Sequence, residues 1–261
     1  MKLYYIRHAQ SANNHLYLSQ GSWLGRSDDP DLTELGYRQA ARLAEFLAEA
    51  ERSPNPIERF GLTHLYSSLH LRALHTGQAI SRALDLPLTA WPDWHESGGI
   101  YQFDPAYFDS SLPEAELPRI GLPGKPRSYF EQRFPDLRLP EELDENGWWN
   151  RPFETRPQRA GRACRVLSEL LARHGGTSDH VAVISHGSFF NYLLRAAMGM
   201  GENEINRPGY NGELWFMHYN CGISCLDFGE GEAVSTDSVT GEIQLVFQNR
   251  HEAMLPELIT R

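Results

Sequence analysis

The chain has 261 residues, between one large and two small domains at roughly 150 residues per domain, and its 41% hydrophobic and 22% charged composition can fill a core. Disordered, collagen-like and low-complexity classes are therefore excluded. Twenty-four Lys plus Arg against 34 Asp plus Glu leave a formal charge of −10, the wrong sign for the attraction that dominates nucleic-acid binding, so no nucleic-acid partner is expected.

Leu3-Tyr4-Tyr5-Ile6 is a short apolar run of strand character that stops at the polar Arg7-His8. It is too short for a signal-peptide apolar region, and no later run approaches membrane-spanning length, so the expectation is a soluble cytoplasmic protein with no membrane association. Cys164, Cys221 and Cys225 are odd in number and fit a reduced compartment. The Cys221/Cys225 pair has no matching second pair and predicts small buried residues, not a zinc site.

After a Gly/Ser/Asp/Pro-rich loop, Thr33 is an N-cap for a helix to about Glu51, with Ala40, Leu43, Ala44 and Leu47 on one face. Ser53-Pro54-Asn55-Pro56 breaks it. Leu62 to Ser67 reads as a strand leading into a helix from about Leu69 to Leu84, and Gln158 to Arg173 as an amphipathic helix. Val181 to Ile184 is a continuous apolar run of the central parallel kind, followed at Gly187 by a helix to about Met198. Leu214 to Tyr219, Ile223 to Phe228 and Ile243 to Gln248 read as further strands with mixed pairing, the last two joined through a Gly-rich turn region. Alternating strands and helices predict an α/β fold, a three-layer α/β/α sandwich with a mostly parallel central sheet.

Residues 97 to 157 break the alternation with nine prolines, many aromatics and weak periodicity. They are too aromatic for a disordered linker and too irregular for an independent core. The expectation is one domain over residues 1–261 in which 97–157 is an inserted cap over an active site.

Arg7-His8 at the end of the first strand sets a bidentate oxyanion clamp beside a nitrogen nucleophile. Ser185-His186-Gly187 puts a histidine where a strand turns into a helix, whose free N–H groups suit an anion. Ser67 to Thr76 places Arg72 on the first turns of a helix after a strand, and Glu96 is a candidate proton donor. Taken singly, each of these is commonplace as a surface or capping residue.

Together the segments resemble the histidine phosphatase superfamily, the phosphoglycerate mutase-like fold. The family's Arg-His-Gly-Glu/Gln-Ser/Thr motif followed by Asn matches Arg7, His8, Gln10, Ser11 and Asn14. Its Ser-Ser-x-x-x-Arg-Ala-x-x-Thr motif matches Ser67, Ser68, Arg72, Ala73 and Thr76, and its late Ser/Thr-His-Gly motif matches Ser185, His186 and Gly187. Asp31, Leu32, Thr33 and Gly36 match the helix-opening Asp-Leu-Thr-x-x-Gly, and Asn220 to Ile223 resemble the closing Asn-x-Ser/Gly-Ile segment. Two positions depart from the pattern. Ala9 stands where glycine is usual, and Glu96 lies in His-Glu-Ser-Gly-Gly where Leu-x-Glu is typical, which keeps Asp93 as a second candidate acid.

The resemblance implies a phosphatase that hydrolyses a phosphate monoester without metal or cofactor. Arg7, Arg72 and His186 would neutralise the phosphoryl oxygens, Asn14 would add a hydrogen bond, and neutral His8 would attack phosphorus to give a phosphohistidine. Glu96, its pKa raised by burial, would protonate the leaving alkoxide and then activate water. The long basic substrate motif of the glycolytic mutases is not recognisable between Glu96 and Pro157, where acidic residues outnumber basic ones, so hydrolysis is favoured over mutase-type transfer. A silent phosphate-dependent docking protein is the other alternative; it would need the arginines but no nucleophile. The expected partner is a small phosphorylated substrate. Its identity and the oligomeric state are left open.

Overall fold

The computed structural model describes residues 1–108, 110–201, 203, 215–229 and 243–261. Six of its strands, β1 (Lys2–Arg7), β2 (His64–Ser67), β3 (Leu88–Ala90), β6 (His180–Ser185), β7 (Ile223–Asp227) and β8 (Gln244–Arg250), form one sheet in the order β3-β2-β6-β1-β7-β8. The first four are parallel, while β7 and β8 run antiparallel at one edge.

Buried on both faces, β1 divides its side chains by the two-residue period of a strand. Tyr4 and Ile6 join a core with α2 (Glu34–Glu51) and α3 (Leu71–Leu84), whereas Leu3 and Tyr5 join a core with α5 (Arg156–His174) and α6 (Gly187–Ala197). Helices therefore cover both faces of a mostly parallel sheet, as the alternation predicts. Thr33 caps α2 by accepting from the Gly36 N–H. Gly36 presses on the first motif so closely that a Cβ there would lie 2.1 Å from the Gln10 carbonyl oxygen, which only glycine avoids.

Two regions differ from the sequence reading, and a third lies outside the described residues. The stretch expected to be loop after His8 contains α1 (Ala12–Gln20), weakly amphipathic but closed by a Ser11/Asn14 capping box and a left-handed Gly21. The strand expected over Leu214 to Tyr219 is absent from 215–219, and Leu214 lies outside the described residues. There the backbone groups are claimed by side chains instead of a neighbouring strand: Phe216 N–H donates to Asn191, Tyr219 N–H to Asn249, and the His218 carbonyl accepts from Arg7. The turn region joining β7 to β8 falls mostly on residues 230–242, outside the described residues.

Segment 97–157 carries a two-stranded antiparallel sheet, β4 (Tyr101–Phe103) with β5 (Arg119–Gly121), and one short helix, α4 (Arg127–Arg133). Its buried Ile100, Phe130, Phe134, Leu143, Trp148 and Trp149 belong to the same cluster as α2 and α3. This placement explains how so irregular a sequence stays ordered: it shares the main core.

Candidate active site

The parallel strands β1, β2 and β6 end side by side, so the residues following them converge at the carboxyl edge of the sheet. β1 ends in Arg7-His8, β2 in Ser67-Ser68, and β6 in Ser185-His186. Arg7, His8, Asn14, Arg72 and Glu96 line one pocket of about 410 Å³ together with Arg26, Tyr101, Arg119, Phe153 and Arg159. His186 does not line this pocket, but its ring centroid lies 5.1 Å from that of His8.

His8 is 3% exposed. Its Nδ1 lies 2.7 Å from the Ala9 carbonyl, an acceptor only, so Nδ1 carries the proton and Nε2 keeps its lone pair. Arg72 Nε donates to that Nε2 at 3.1 Å. Burial, reinforced by Arg72 and Arg7, holds the His8 pKa well below the usual histidine value, so the ring is neutral. A neutral imidazole whose Nε2 lone pair is released when Arg72 turns to a ligand can act as a nucleophile. Ala9 is fully buried within the apolar core and is not among the residues lining the pocket, so its methyl group does not narrow the site.

Arg7 spends Nη1 on the His218 carbonyl, while its Nε is buried without a partner. An unmet donor of this kind costs about 1–3 kcal/mol and marks a place for an anionic oxygen. His186 Nδ1 is likewise buried and unpartnered. Ser68 Oγ accepts the His70 N–H and sits 2.7 Å from His186 Nε2, the one acceptor within its reach among the described residues, so the hydroxyl proton points to Nε2 and the ring hydrogen falls on Nδ1. Burial and Arg72 hold the His186 pKa well below its usual value. In this state His186 is a neutral donor.

Asn14 uses its Oδ1 to accept from the Ser11 backbone and hydroxyl. Glu96 is half-buried, accepting from Ser97 and Phe189 N–H through Oε1 and from Ser188 N–H through Oε2, which fixes it at the first turn of α6. Asp93 goes elsewhere. It lines a separate cleft and lies 4.0 Å from Arg151 and 3.8 Å from Arg165.

Several residues of the site escaped sequence reasoning. Fully buried Asp29 accepts the Leu71 N–H and lies 3.9 Å from Arg72, giving that guanidinium a counter-ion; burial pushes its own pKa up to about 6. Arg162 of α5 grips Glu154 through two bonds of 2.6 and 2.8 Å and donates to the Asp93 and His95 carbonyls, while Glu154 accepts the Gly98 N–H. This buried pair clamps both sides of Glu96. Its only sequence signal was a polar residue on the otherwise apolar face of α5.

Residues 3–115 and 105–238 match the family model described as histidine phosphatase superfamily (branch 1). The chain belongs to the histidine phosphatase superfamily. A Schizosaccharomyces pombe protein named "Probable phosphatase" is 23% identical over 205 residues, 77% of this chain and 57% of that protein, so the chain spans little more than half the length of this relative. Among solved structures, a protein named mycobacterial hydrolase 2 matches at TM-score 0.58 and 19% identity, covering 98% of this chain and 94% of that one. Mycobacterial glucosyl-3-phosphoglycerate phosphatase with VO3 matches at 0.56 and 19%, covering 96% and 99%. Phosphoserine phosphatase of Entamoeba histolytica matches at 0.54 and 16%, covering 97% and 99%. These likenesses establish the shared fold.

Among the described residues, metal-type donors converge within 4.8 Å at His64, His174 and Asp179, where β2 and β6 begin, the end of the sheet opposite His8. Distant sequence positions hid that cluster from linear spacing. His174 Nδ1 is already 2.8 Å from Asp179, so the group is satisfied as a hydrogen-bonded network. Cys221 and Cys225 are buried, and neither is in a disulfide. Among the described residues no helix is long and apolar enough to cross a membrane.

Proposed function

We propose that this chain is a metal-independent phosphatase that hydrolyses a small phosphate monoester through a phosphohistidine on His8. The observation that carries this reading is the neutral His8 with its Nε2 lone pair facing a pocket in which Arg7 Nε has no partner. The phosphatase names of the relatives support it.

When the ester enters, the Arg72 Nε that donates to His8 Nε2 turns to a phosphoryl oxygen, and Arg7, Asn14 and His186 Nδ1 donate to the others. Two guanidinium groups meet the dianion without metal. The ester brings in one proton, which Glu96 takes up on binding; His8 Nε2 then attacks phosphorus in line as the ester oxygen departs with that proton, and Glu96, again a carboxylate, takes a proton from the water that attacks the phosphohistidine. The pocket lining supports Glu96 over Asp93 for this role.

Residues 97–157 act as a cap within a single domain, contributing Tyr101, Arg119 and Phe153 to the pocket wall. Thiols at Cys221 and Cys225 fit a reducing, cytoplasmic setting. Rapid acid-free quenching after exposure to p-nitrophenyl phosphate, followed by mass spectrometry, should find acid-labile phosphate on His8, and His8→Ala should lose turnover by ~10⁶-fold. Phosphate on another residue, or wild-type turnover in His8→Ala, overturns the assignment.

A further inference from the structure

The pocket holds more positive charge than one phosphoryl group requires. Five arginines line it, Arg7, Arg26, Arg72, Arg119 and Arg159, against the single carboxylate of Glu96. Arg7 and Arg72 flank His8, and Arg159 already has the Glu154 carboxylate 4.0 Å from its Nε. Arg26 and Arg119 remain, and among the described residues neither has a carboxylate within 4.0 Å.

Both are held by aromatic faces and carbonyl oxygens instead. The Arg26 guanidinium lies 3.9 Å from the centroid of the Tyr101 ring and donates to the Tyr101 carbonyl. Arg119 sits 5.3 Å from the Phe103 ring and 5.2 Å from the Phe153 ring, with two donors on the Ala115 carbonyl at 3.3 Å. Stacking uses the flat face of a guanidinium and leaves in-plane N–H groups for a ligand. The like charges also burden one another. Burial lowers the affinity of Arg26 for its proton and Arg119 lowers it further, against Tyr101 and Asp28, while Arg26 does the same to Arg72. A bound anion would relieve that repulsion.

We propose that Arg26 and Arg119 form a second anion-binding subsite, so that the favoured ester carries a carboxylate or a second phosphate on its alcohol portion. This rests on the phosphatase reading of the His8 pocket, but binding tests it without turnover. Calorimetry on the wild-type chain would compare three non-hydrolysable phosphonates: butylphosphonate, 4-phosphonobutanoate, whose carboxylate replaces the terminal methyl, and propane-1,3-diphosphonate.

At least one doubly anionic compound should bind roughly 10- to 100-fold more tightly than butylphosphonate, the value of charge-assisted hydrogen bonds. Which one gains more distinguishes a carboxylate subsite from a phosphate subsite. The advantage should shrink in raised salt and fall toward one in Arg26→Gln and Arg119→Gln, each checked for native near-ultraviolet circular dichroism. Equal affinities for all three, including no binding of any, or an advantage that survives both substitutions, overturn the subsite. Turnover of p-nitrophenyl phosphate by the wild type reports separately on the phosphatase reading, since it carries no second anion.

Discussion

The carboxyl ends of β1, β2 and β6 and the segment 97–157 wall the same pocket by different means. At the strand ends, Arg7, His8 and His186 follow their strands directly and Arg72 opens the next helix, so position in the fold and position in the sequence coincide. In the segment, Tyr101, Arg119 and Phe153 are far apart along the chain. Pairing of β4 with β5 sets Phe103 opposite Arg119, and a Cβ on Gly98 would come 2.5 Å from the Phe153 ring, so this wall exists only once the segment has packed. The chemistry of the site is built on the rigid sheet, and its outer surface on tertiary packing, where change is least costly to the fold.

Among tests that compare the two regions, the one with the largest expected effect asks whether Glu96 belongs with the chemistry of the strand ends. Glu96→Gln should slow alkyl phosphates by roughly 10²–10⁴-fold and p-nitrophenyl phosphate far less, because p-nitrophenolate leaves without protonation. The phosphohistidine should also accumulate. The same small loss on both ester types, with the selective loss appearing in Asp93→Asn, would transfer the acid to Asp93.

The second test cuts the tie between the two regions. Arg162→Met leaves Glu154 buried without its cation and should destabilise the chain by about 3–5 kcal/mol, read from the midpoint of urea unfolding. A loss under ~1 kcal/mol would mean that the buried pair does not join the segment to the Glu96 loop.

Acid should then loosen the strand-end region. His8, His70, His95 and His186 are buried with pKa values held well below their usual 6.5, chiefly by desolvation. The unfolded chain protonates them near pH 6.5 and the folded chain does not, so this stability is complete above pH 6.5 and is lost as pH falls. Each contributes about 1.4 kcal/mol per pH unit below that point. Asp29, raised to about 6 from 3.8, acts in the opposite sense: its contribution is complete below 3.8 and lost as pH rises through about 6. Scanning calorimetry should therefore show Tm falling between pH 7 and 5.5, and a flat or rising Tm would contradict neutral histidines at the site.

The smallest effect is expected from metal removal, because in the proposed mechanism two arginines and the histidine donors meet the phosphoryl group. Exhaustive chelation should leave the rate unchanged. Loss with recovery on adding back one metal would require a different mechanism.

Sequence patterning alone determined the α/β class, the main helices and the strand-end motifs, because a strand's apolar run and the polar residues that terminate it are local features. The caps of α1 were equally local, yet its weak amphipathicity concealed the helix. Only the tertiary structure decided that Asp29 would meet Arg72, that Arg162 and Glu154 would bracket Glu96, and that Arg26 and Arg119 would reach the His8 pocket. Counting acidic against basic residues along 97–157 predicted little positive character there, but charge acts through distance in space. The fold brings five of the arginines to one pocket, while most of the described acidic residues face solvent.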